Sequence, residues 1–173
     1  MAVDCRVRPI NHKWLGIVIH HTSIGNRNPD TVKISLWKRL FKNIGNYLQK
    51  KDNIYVSAHH IIGRFGENRE LLDPHRYIAY HAGRSSWWNF KTRKIQKSCN
   101  SFMIGIELVG DGNRGCFSEL QYEECASLCK RLSEKYSIPL NMIVGHEMVS
   151  PGRKNDPGKF FDWYHFFGLM SKF

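Results

Sequence analysis

Three side chains with good metal-binding chemistry lie at or just beyond the ends of predicted strands. His20 lies near the end of the apolar run LGIVIHH, His146 ends NMIVGH, and Asp156 follows ten residues later in a loop rich in Pro and Gly. Strand ends and the loops beyond them are where sheet-based folds usually place ligands. Two imidazoles and one carboxylate would give a catalytic zinc ion three protein ligands and leave a fourth position for water.

The same residues also have a purely structural interpretation, because any one of the nine histidines can be a buried, hydrogen-bonded residue. The pair His146-Glu147 begins like the helical zinc motif H-E-x-x-H, but the last position of that motif is Ser150 here. His20 and His21 alternate along a strand, so they point to opposite faces and cannot both reach one metal from there. Spacing alone leaves both interpretations open.

Hydrophobic periodicity predicts the elements that position these residues. The predicted strands are 15–21, 55–64, 101–110 and 141–146; the predicted helices are about 31–50, about 118–136 with Ser118 as its N-cap, and 161–170. Residues 69–100 and 147–160 are predicted to be irregular, the second because Pro151 and Pro157 interrupt it. Strands that alternate with helices predict an α/β fold with a central sheet and helices on its faces.

Length and composition are those of one soluble domain, 1–173. The net charge of +11 favours polyanionic partners such as nucleic acid, anionic membranes or cell-wall polymers, or serves solubility alone. We expect no nucleic-acid partner, because no RNP-like or helix-turn-helix pattern is present. We expect no transmembrane segment and synthesis in the cytoplasm without a secretory signal. The five cysteines have irregular spacing and are expected to be reduced: Cys5, Cys99, Cys116, Cys125 and Cys129.

Six stretches of the chain carry a more specific signal. They are IVIHHTS (17–23), VSAHHIIGRFGE (56–67), YHAGRSSW (80–87), CNSFMIGIELVGDG (99–112), NMIVGHEMVSPGRKNDPG (141–158) and FDW (161–163). In this order they resemble the zinc-dependent N-acetylmuramoyl-L-alanine amidases, which include cytoplasmic anhydro-muropeptide amidases, phage endolysins and peptidoglycan recognition proteins. The resemblance implies one domain with a central mixed β-sheet flanked by helices. It also implies a monomer that acts on peptidoglycan or muropeptides.

The resemblance assigns the metal ligands residue by residue. It implies that Zn²⁺ is bound by His20 of H-H-T, His146 of G-H and Asp156 of K-x-D-P-G. It implies further that Glu107 of G-I-E-L carries the proton and that Lys154 stabilises the oxyanion. The chain's own pattern agrees, because a Glu inside an apolar strand is costly unless it lies near a cation. In an extended loop, Lys154 and Asp156 lean to the same side.

Four more residues match positions that line or brace the cleft in the family. His59 and His81 are expected on the substrate side or behind the ligands, and Arg84 and Asn100 are expected to contact the sugar or peptide. Phage lysozyme-amidases have a catalytic Tyr where this chain has Ala58, which agrees with a Glu-dependent branch.

The sequence supports more than one substrate. The missing signal peptide and the +11 charge favour a lytic enzyme that acts on polymeric cell wall, like a phage endolysin. The alternative is a cytoplasmic amidase that recycles anhydro-muropeptides. Such enzymes resemble this chain in K-N-D-P-G, Glu107 and CNSF, but they have Arg in place of Ser98 and Asn in place of His21. A non-catalytic peptidoglycan-binding module is the third interpretation, and the intact set of ligands argues against it.

Overall fold

The computed structural model describes residues 5–23, 57–89 and 92–173. Its strands are β1 (Cys5–Val7), β2 (Gly16–His21), β3 (His60–Ile62), β4 (Asn68–Glu70), β5 (Tyr77–Ala79), β6 (Ser86–Asn89), β7 (Lys94–Lys97), β8 (Met103–Leu108) and β9 (Ile143–Gly145). Its helices are α1 (Glu119–Tyr136), α2 (His146–Val149) and α3 (Trp163–Met170). Single 3₁₀ turns lie at Cys99–Ser101 and Leu140–Met142.

The central sheet is mixed, as expected from the resemblance. Its strand order is β4-β3-β8-β2-β9, in which β4 is antiparallel to β3 and all the other pairs are parallel. Two-stranded antiparallel pairs, β1 with β5 and β6 with β7, lie beside it. The carboxyl ends of β2, β8 and β9 therefore meet at one edge, and ligand sites of parallel sheets form at this edge.

Strand alternation divides the central sheet into two chemically different faces. Ile17 and Ile19 of β2 are fully buried in the larger core cluster, which also contains the apolar faces of α1 and α3. Val18 belongs to a smaller cluster on the other face. His20 is two residues beyond Val18, so it shares that second face. One face thus carries most of the core, and the other carries the polar residues at the strand ends.

The helix that follows β8 begins as its sequence predicts. The Ser118 hydroxyl accepts from the Gln121 N–H at 3.2 Å, and the Gln121 side chain accepts from the Ser118 N–H at 3.2 Å. This reciprocal capping box satisfies two backbone donors that the first turn leaves unpaired. Cys125 and Cys129 are buried one turn apart, and all five cysteines are free thiols.

Several predicted boundaries were wrong. The segment 69–100 is not irregular throughout, because it contains β5, β6, β7 and the last two residues of β4. These strands are only three or four residues long, too short for a periodic signal. His146 begins α2 rather than ending a strand, and this helix occupies the start of 147–160. The described part of the predicted strand 55–64 is a strand only at His60–Ile62, and the predicted helix 31–50 lies outside the described residues.

Within the described ranges, none of the helices has both the length and the apolar character needed to cross a membrane.

Candidate metal centre and active site

The structure brings together the three residues that the sequence analysis selected as ligands. His20 Nδ1, His146 Nδ1 and one carboxylate oxygen of Asp156 lie 2.9 Å from one another. All three side chains are buried. Two ligand atoms of one zinc ion lie at most about 4.2 Å apart, twice a bond length of ~2.1 Å, so these atoms are close enough to share an ion.

Parallel strand pairing explains why His20 lies beside Glu107. The register of β2 and β8 places His20 opposite Glu107, and both are at the carboxyl end of their strand. Residues opposite each other in neighbouring strands point to the same face. The apolar runs on either side of these two residues therefore fix a histidine and a carboxylate next to each other.

His146 and Asp156 are joined through the backbone of α2. The Glu147 N–H at the start of α2 donates to the Asp156 carbonyl at 3.0 Å. On the far side of the loop, a Cβ on Gly112 would overlap the Pro157 carbonyl. Close backbone packing at Gly112 thus holds the loop in place, which explains how a residue outside any helix or strand can reach the two histidines.

A chain of hydrogen bonds fixes which nitrogen of His20 is free. His81 Nε2 lies 2.9 Å from the Met103 carbonyl, which can only accept, so this nitrogen carries the proton. In neutral His81 the other nitrogen, Nδ1, is then an acceptor, and it lies 2.9 Å from His20 Nε2. His20 must therefore donate from Nε2. Its Nδ1 lone pair points toward His146 and Asp156.

His146 is oriented in the same way. Its Nε2 lies 3.1 Å from the Ala82 carbonyl, so Nε2 carries the proton and Nδ1 presents a lone pair in the neutral form. Two imidazole lone pairs and a carboxylate oxygen then converge with no proton between them. Like lone pairs at this distance repel, and a bound cation removes the repulsion. The donor set, two His nitrogens and one carboxylate oxygen, is one that zinc accepts.

The protonation states of His20 and Asp156 favour metal binding. Burial lowers the pKa of His20 to about 4, although Asp156 acts in the opposite direction, so His20 is neutral at pH 7. Burial tends to raise the pKa of Asp156, but contacts with His146 and His20 outweigh it and hold the pKa below its ordinary range. A neutral imidazole and an ionised carboxylate are the forms that bind metal ions.

Glu107 is a buried carboxyl group with an incomplete set of partners. Its side chain is buried, and within the described part of the chain its Oε2 atom has no hydrogen-bond partner. Burial raises its pKa to about 8; the charge of Asp156 adds to this effect, and Lys154 opposes it. An unsatisfied buried oxygen costs on the order of 1–3 kcal/mol. Such a group is suited to exchanging a proton with a ligand in the cavity.

These residues open into one cavity of about 830 Å³. His20, Glu107, His146 and Asp156 line it together with His81, Asn100, Lys154 and other residues. Asn100 uses its side-chain oxygen to accept from the backbone N–H groups of His81 and Ala82, at 3.0 and 2.6 Å. No hydrogen bond joins its amide NH₂ to another described residue, so this group can contact a ligand.

Two of the tentative substrate residues are not part of this lining. His59 is fully buried: its Nδ1 accepts from the Gly105 N–H at 3.0 Å, and its Nε2 lies 3.3 Å from the Tyr77 carbonyl. It braces the wall behind His81, at a ring-centroid distance of 6.0 Å. Arg84 contributes its backbone carbonyl, which accepts from Ser150 and Arg153.

Sequence reasoning missed Arg153. Its Nη2 donates to the Ala82 carbonyl and to the Ser150 hydroxyl, both at 2.7 Å, and it lines the cavity. Because Ala82 also accepts from His146, Arg153 helps to hold the loop that orients this ligand. The available signal was a second cation next to Lys154 in the loop SPGRKNDPG. Tyr80 and Gly83 also line the cavity and were not selected.

Sequence comparison finds relatives that are named as amidases. A protein from Citrobacter freundii named 1,6-anhydro-N-acetylmuramyl-L-alanine amidase AmpD is 32% identical over 170 residues, which cover 97% of this chain and 86% of the relative. The AmpD of Haemophilus influenzae is 37% identical over 134 residues, covering 77% and 68%. The Escherichia coli N-acetylmuramoyl-L-alanine amidase AmiD is 34% identical over 122 residues, covering 62% of this chain and 42% of AmiD.

Solved structures and a family model match the chain as well. A crystal structure of AmpD superposes with a TM-score of 0.71 at 28% identity and covers 95% of this chain and 89% of its own. An endolysin amidase from Clostridium intestinale shares the fold, with a TM-score of 0.63 at 19% identity, covering 99% and 91%. The sequence model named Amidase_2, N-acetylmuramoyl-L-alanine amidase, matches residues 10–159. The chain therefore belongs to the N-acetylmuramoyl-L-alanine amidase family of enzymes.

Proposed function

We propose that this chain is a zinc hydrolase that cuts the amide bond between N-acetylmuramic acid and L-alanine in 1,6-anhydro-muropeptides. The observation that carries the proposal is the convergence of the His20, His146 and Asp156 lone pairs at 2.9 Å. Glu107 lines the same cavity, and none of the described residues forms a hydrogen bond with its Oε2 atom. A metal site beside a buried proton carrier is what hydrolysis of an unreactive amide requires.

The three converging atoms would hold the zinc ion. When bound, zinc supplies Lewis acidity that polarises the substrate carbonyl and lowers the pKa of a water molecule toward about 7. His81 and Ala82 then keep the two imidazoles in the tautomer that leaves Nδ1 free. Such outer partners orient metal ligands and increase their basicity.

Glu107 is the proton carrier in this proposal. It accepts a proton from the attacking water and delivers it to the amine of the departing L-alanine. Among the residues that the structure describes, Oε2 has no competing partner for that proton. In the metal-free protein burial holds the pKa of Glu107 at about 8, and a cation bound beside it acts in the opposite direction. The carboxylate form needed at neutral pH is therefore favoured when the site is loaded.

Lys154 is the electrostatic partner of the developing negative charge. Its side chain lines the cavity with those of Asp156 and Glu107. An ammonium group directed at the carbonyl oxygen stabilises the tetrahedral transition state more than the ground state, and this difference increases the rate. Asn100 offers its amide NH₂ to the sugar or the peptide, and a substrate contact from Arg84 stays a prediction.

The choice of anhydro-muropeptides rests on the relatives. The AmpD protein of Citrobacter freundii, whose name specifies the 1,6-anhydro sugar, is 32% identical over 97% of this chain. This relative supports the recycling alternative better than lytic action. Against it stand Ser98 and His21, where the sequence analysis found departures from such enzymes. Action on polymeric wall is the second candidate, favoured by the +11 charge, and it stays a prediction.

A comparison of two substrates tests the proposal. The zinc-loaded protein is incubated with soluble anhydro-muropeptides and, separately, with purified sacculi, and the products are identified by mass spectrometry. We expect the soluble substrate to give free stem peptide and peptide-free anhydro-sugar. We also expect kcat/KM to be higher for the soluble substrate than for sacculi. Faster release from sacculi would replace the recycling assignment with the lytic one. No product from either substrate would exclude the amidase function.

A further inference from the structure

A cationic hairpin emerges from the wall of the catalytic cavity. It consists of β6 and β7, and we call it the rim hairpin. Gly83 lines the cavity just before it, and Asn100 lines the cavity just after it. The Ser98 N–H donates to the Ser85 carbonyl at 2.8 Å, and the Cys99 N–H donates to the Ser85 hydroxyl at 3.0 Å. These two bonds close the base of the hairpin beside the cavity.

The two faces of the rim hairpin differ. Trp87 on one face is half-buried and packs against the smaller core cluster. On the other face Trp88 is paired with Ile95, and their side chains are 45% and 64% exposed. Strand alternation places exposed Lys97 on the same face as this pair. An indole, a branched aliphatic side chain and a cation are therefore presented together to solvent.

The charged residues in and next to the rim hairpin are all cationic. Residues 84–97 contain five Lys and Arg residues and no Asp or Glu. A surface of this kind attracts polyanions, with an ionic-strength dependence set by screening. A flat indole ring packs well against the apolar face of a sugar ring, and a neighbouring cation complements the free carboxylates of stem peptides. The rim hairpin joins these two kinds of contact at the edge of a cavity proposed to hold the sugar–peptide junction.

We propose that the rim hairpin is a subsite for the glycan strand of polymeric peptidoglycan, with Trp88, Ile95 and Lys97 as its contact residues. This inference rests on the proposed function, because it extends the same site beyond the bond that is cut. The subsite adds affinity only for substrates long enough to reach from the cavity to the hairpin. It therefore lets an enzyme of the recycling type also engage the intact wall.

Two measurements on the same variants test the subsite. Binding of metal-free protein to purified sacculi is measured by sedimentation, and kcat/KM of zinc-loaded protein is measured on soluble anhydro-muropeptides. Trp88→Ala removes the indole, Lys97→Glu reverses a charge without removing apolar contacts, and Tyr164→Ala is the matched control, because Tyr164 is a 91% exposed aromatic residue on α3. We expect both rim variants to bind sacculi at least ~10-fold more weakly, with soluble turnover within twofold of the parent, and the control to behave like the parent.

Three results would overturn the inference. The first is unchanged sacculus binding in both rim variants, and the second is an equal loss on soluble substrate. The third is binding of the parent to anionic phospholipid vesicles but not to sacculi, which would make a lipid surface the occupant. If the amidase proposal is wrong, the parent will turn over neither substrate. The binding of metal-free protein to sacculi does not depend on turnover, so it still tests the subsite.

Discussion

His81 lies between His20 and the Met103 carbonyl, with a nitrogen 2.9 Å from each of them. Because the carbonyl can only accept, this arrangement determines the tautomer of both imidazoles. His20 is thereby left with its Nδ1 lone pair directed at His146 and Asp156. His81 would not bind the metal itself, but it determines which nitrogen of His20 can bind it.

Removal of His81 should weaken the metal site. We expect His81→Ala to lower zinc affinity by about 10- to 100-fold, because His20 loses the acceptor that fixes its tautomer. Competition with a chromophoric chelator measures the affinity directly. His75→Ala, which removes an exposed histidine, is the control. Equal zinc affinity in His81→Ala and the control would show that His81 does not position His20.

Glu107→Gln should separate metal binding from proton transfer. The amide has nearly the same shape but cannot accept the proton of water at neutral pH. We expect kcat to fall by about 10²- to 10⁴-fold, while zinc content and the circular dichroism spectrum stay those of the parent. A variant with full zinc and more than a tenth of the parent's kcat would identify a different general base.

The same substitution should change the pH dependence of stability. The pKa of Glu107 is about 8 in the folded, metal-free protein and near 4.5 when unfolded. Between these values the folded state keeps a proton that the unfolded state has lost, so the free energy of unfolding falls as the pH rises. Above pH 8 the full cost applies, roughly 3–5 kcal/mol.

Glu107→Gln removes this cost. In urea titrations of chelator-treated protein, we expect the stability gain of the variant over the parent to be near zero at pH 4.5 and to increase up to pH 9. A gain that is independent of pH would mean that Glu107 titrates normally. Zinc-loaded samples provide the comparison, since a bound cation lowers the pKa of Glu107 and reduces the gain.

Gly105 in β8 makes room for the His81 ring. A Cβ at this position would overlap that ring, whereas a Cβ on Gly168 in α3 would meet no described atom within 4 Å outside the backbone of its own helix. We expect Gly105→Ala to lower the free energy of unfolding by about 2–3 kcal/mol and to weaken zinc binding. Gly168→Ala should instead raise it by about 0.5–1 kcal/mol, because alanine favours the helix. Chemical denaturation measures both, and similar effects at the two sites would refute the packing argument.

The convergence of the three candidate ligands could be predicted from the sequence because His20, His146 and Asp156 lie in stretches that resemble the amidase family. The hydrogen bonds that orient these side chains could not be predicted from the sequence. His81 reaches His20 across 61 residues of chain, and Arg153 bonds to a backbone carbonyl 71 residues away. Every residue has a backbone carbonyl, so a sequence pattern does not show which carbonyl accepts a given hydrogen bond. The short strands around Trp88 and Ile95 were also missed, because four residues carry too little periodicity.

Lys154→Ala should affect the rate and little else. The side chain is exposed at the cavity, so its loss should leave the free energy of unfolding within about 0.5 kcal/mol of the parent. We expect kcat to fall by about 10²- to 10³-fold if the ammonium stabilises the transition-state oxyanion. Lys159→Ala, a change at another exposed lysine, is the control. Full activity of Lys154→Ala would remove this residue from the mechanism.

The position of bond cleavage tests the central claim most directly. Zinc-loaded protein is incubated with an anhydro-muropeptide in ¹⁸O-labelled water, and the fragments are weighed by mass spectrometry, with parallel samples of chelator-treated protein and of Asp156→Ala. We expect one ¹⁸O atom in the new carboxylate of the muramic acid fragment, an unlabelled peptide that begins with L-alanine, and no cleavage in either parallel sample. Cleavage at any other bond, or cleavage that survives metal removal and Asp156→Ala, would contradict the assignment.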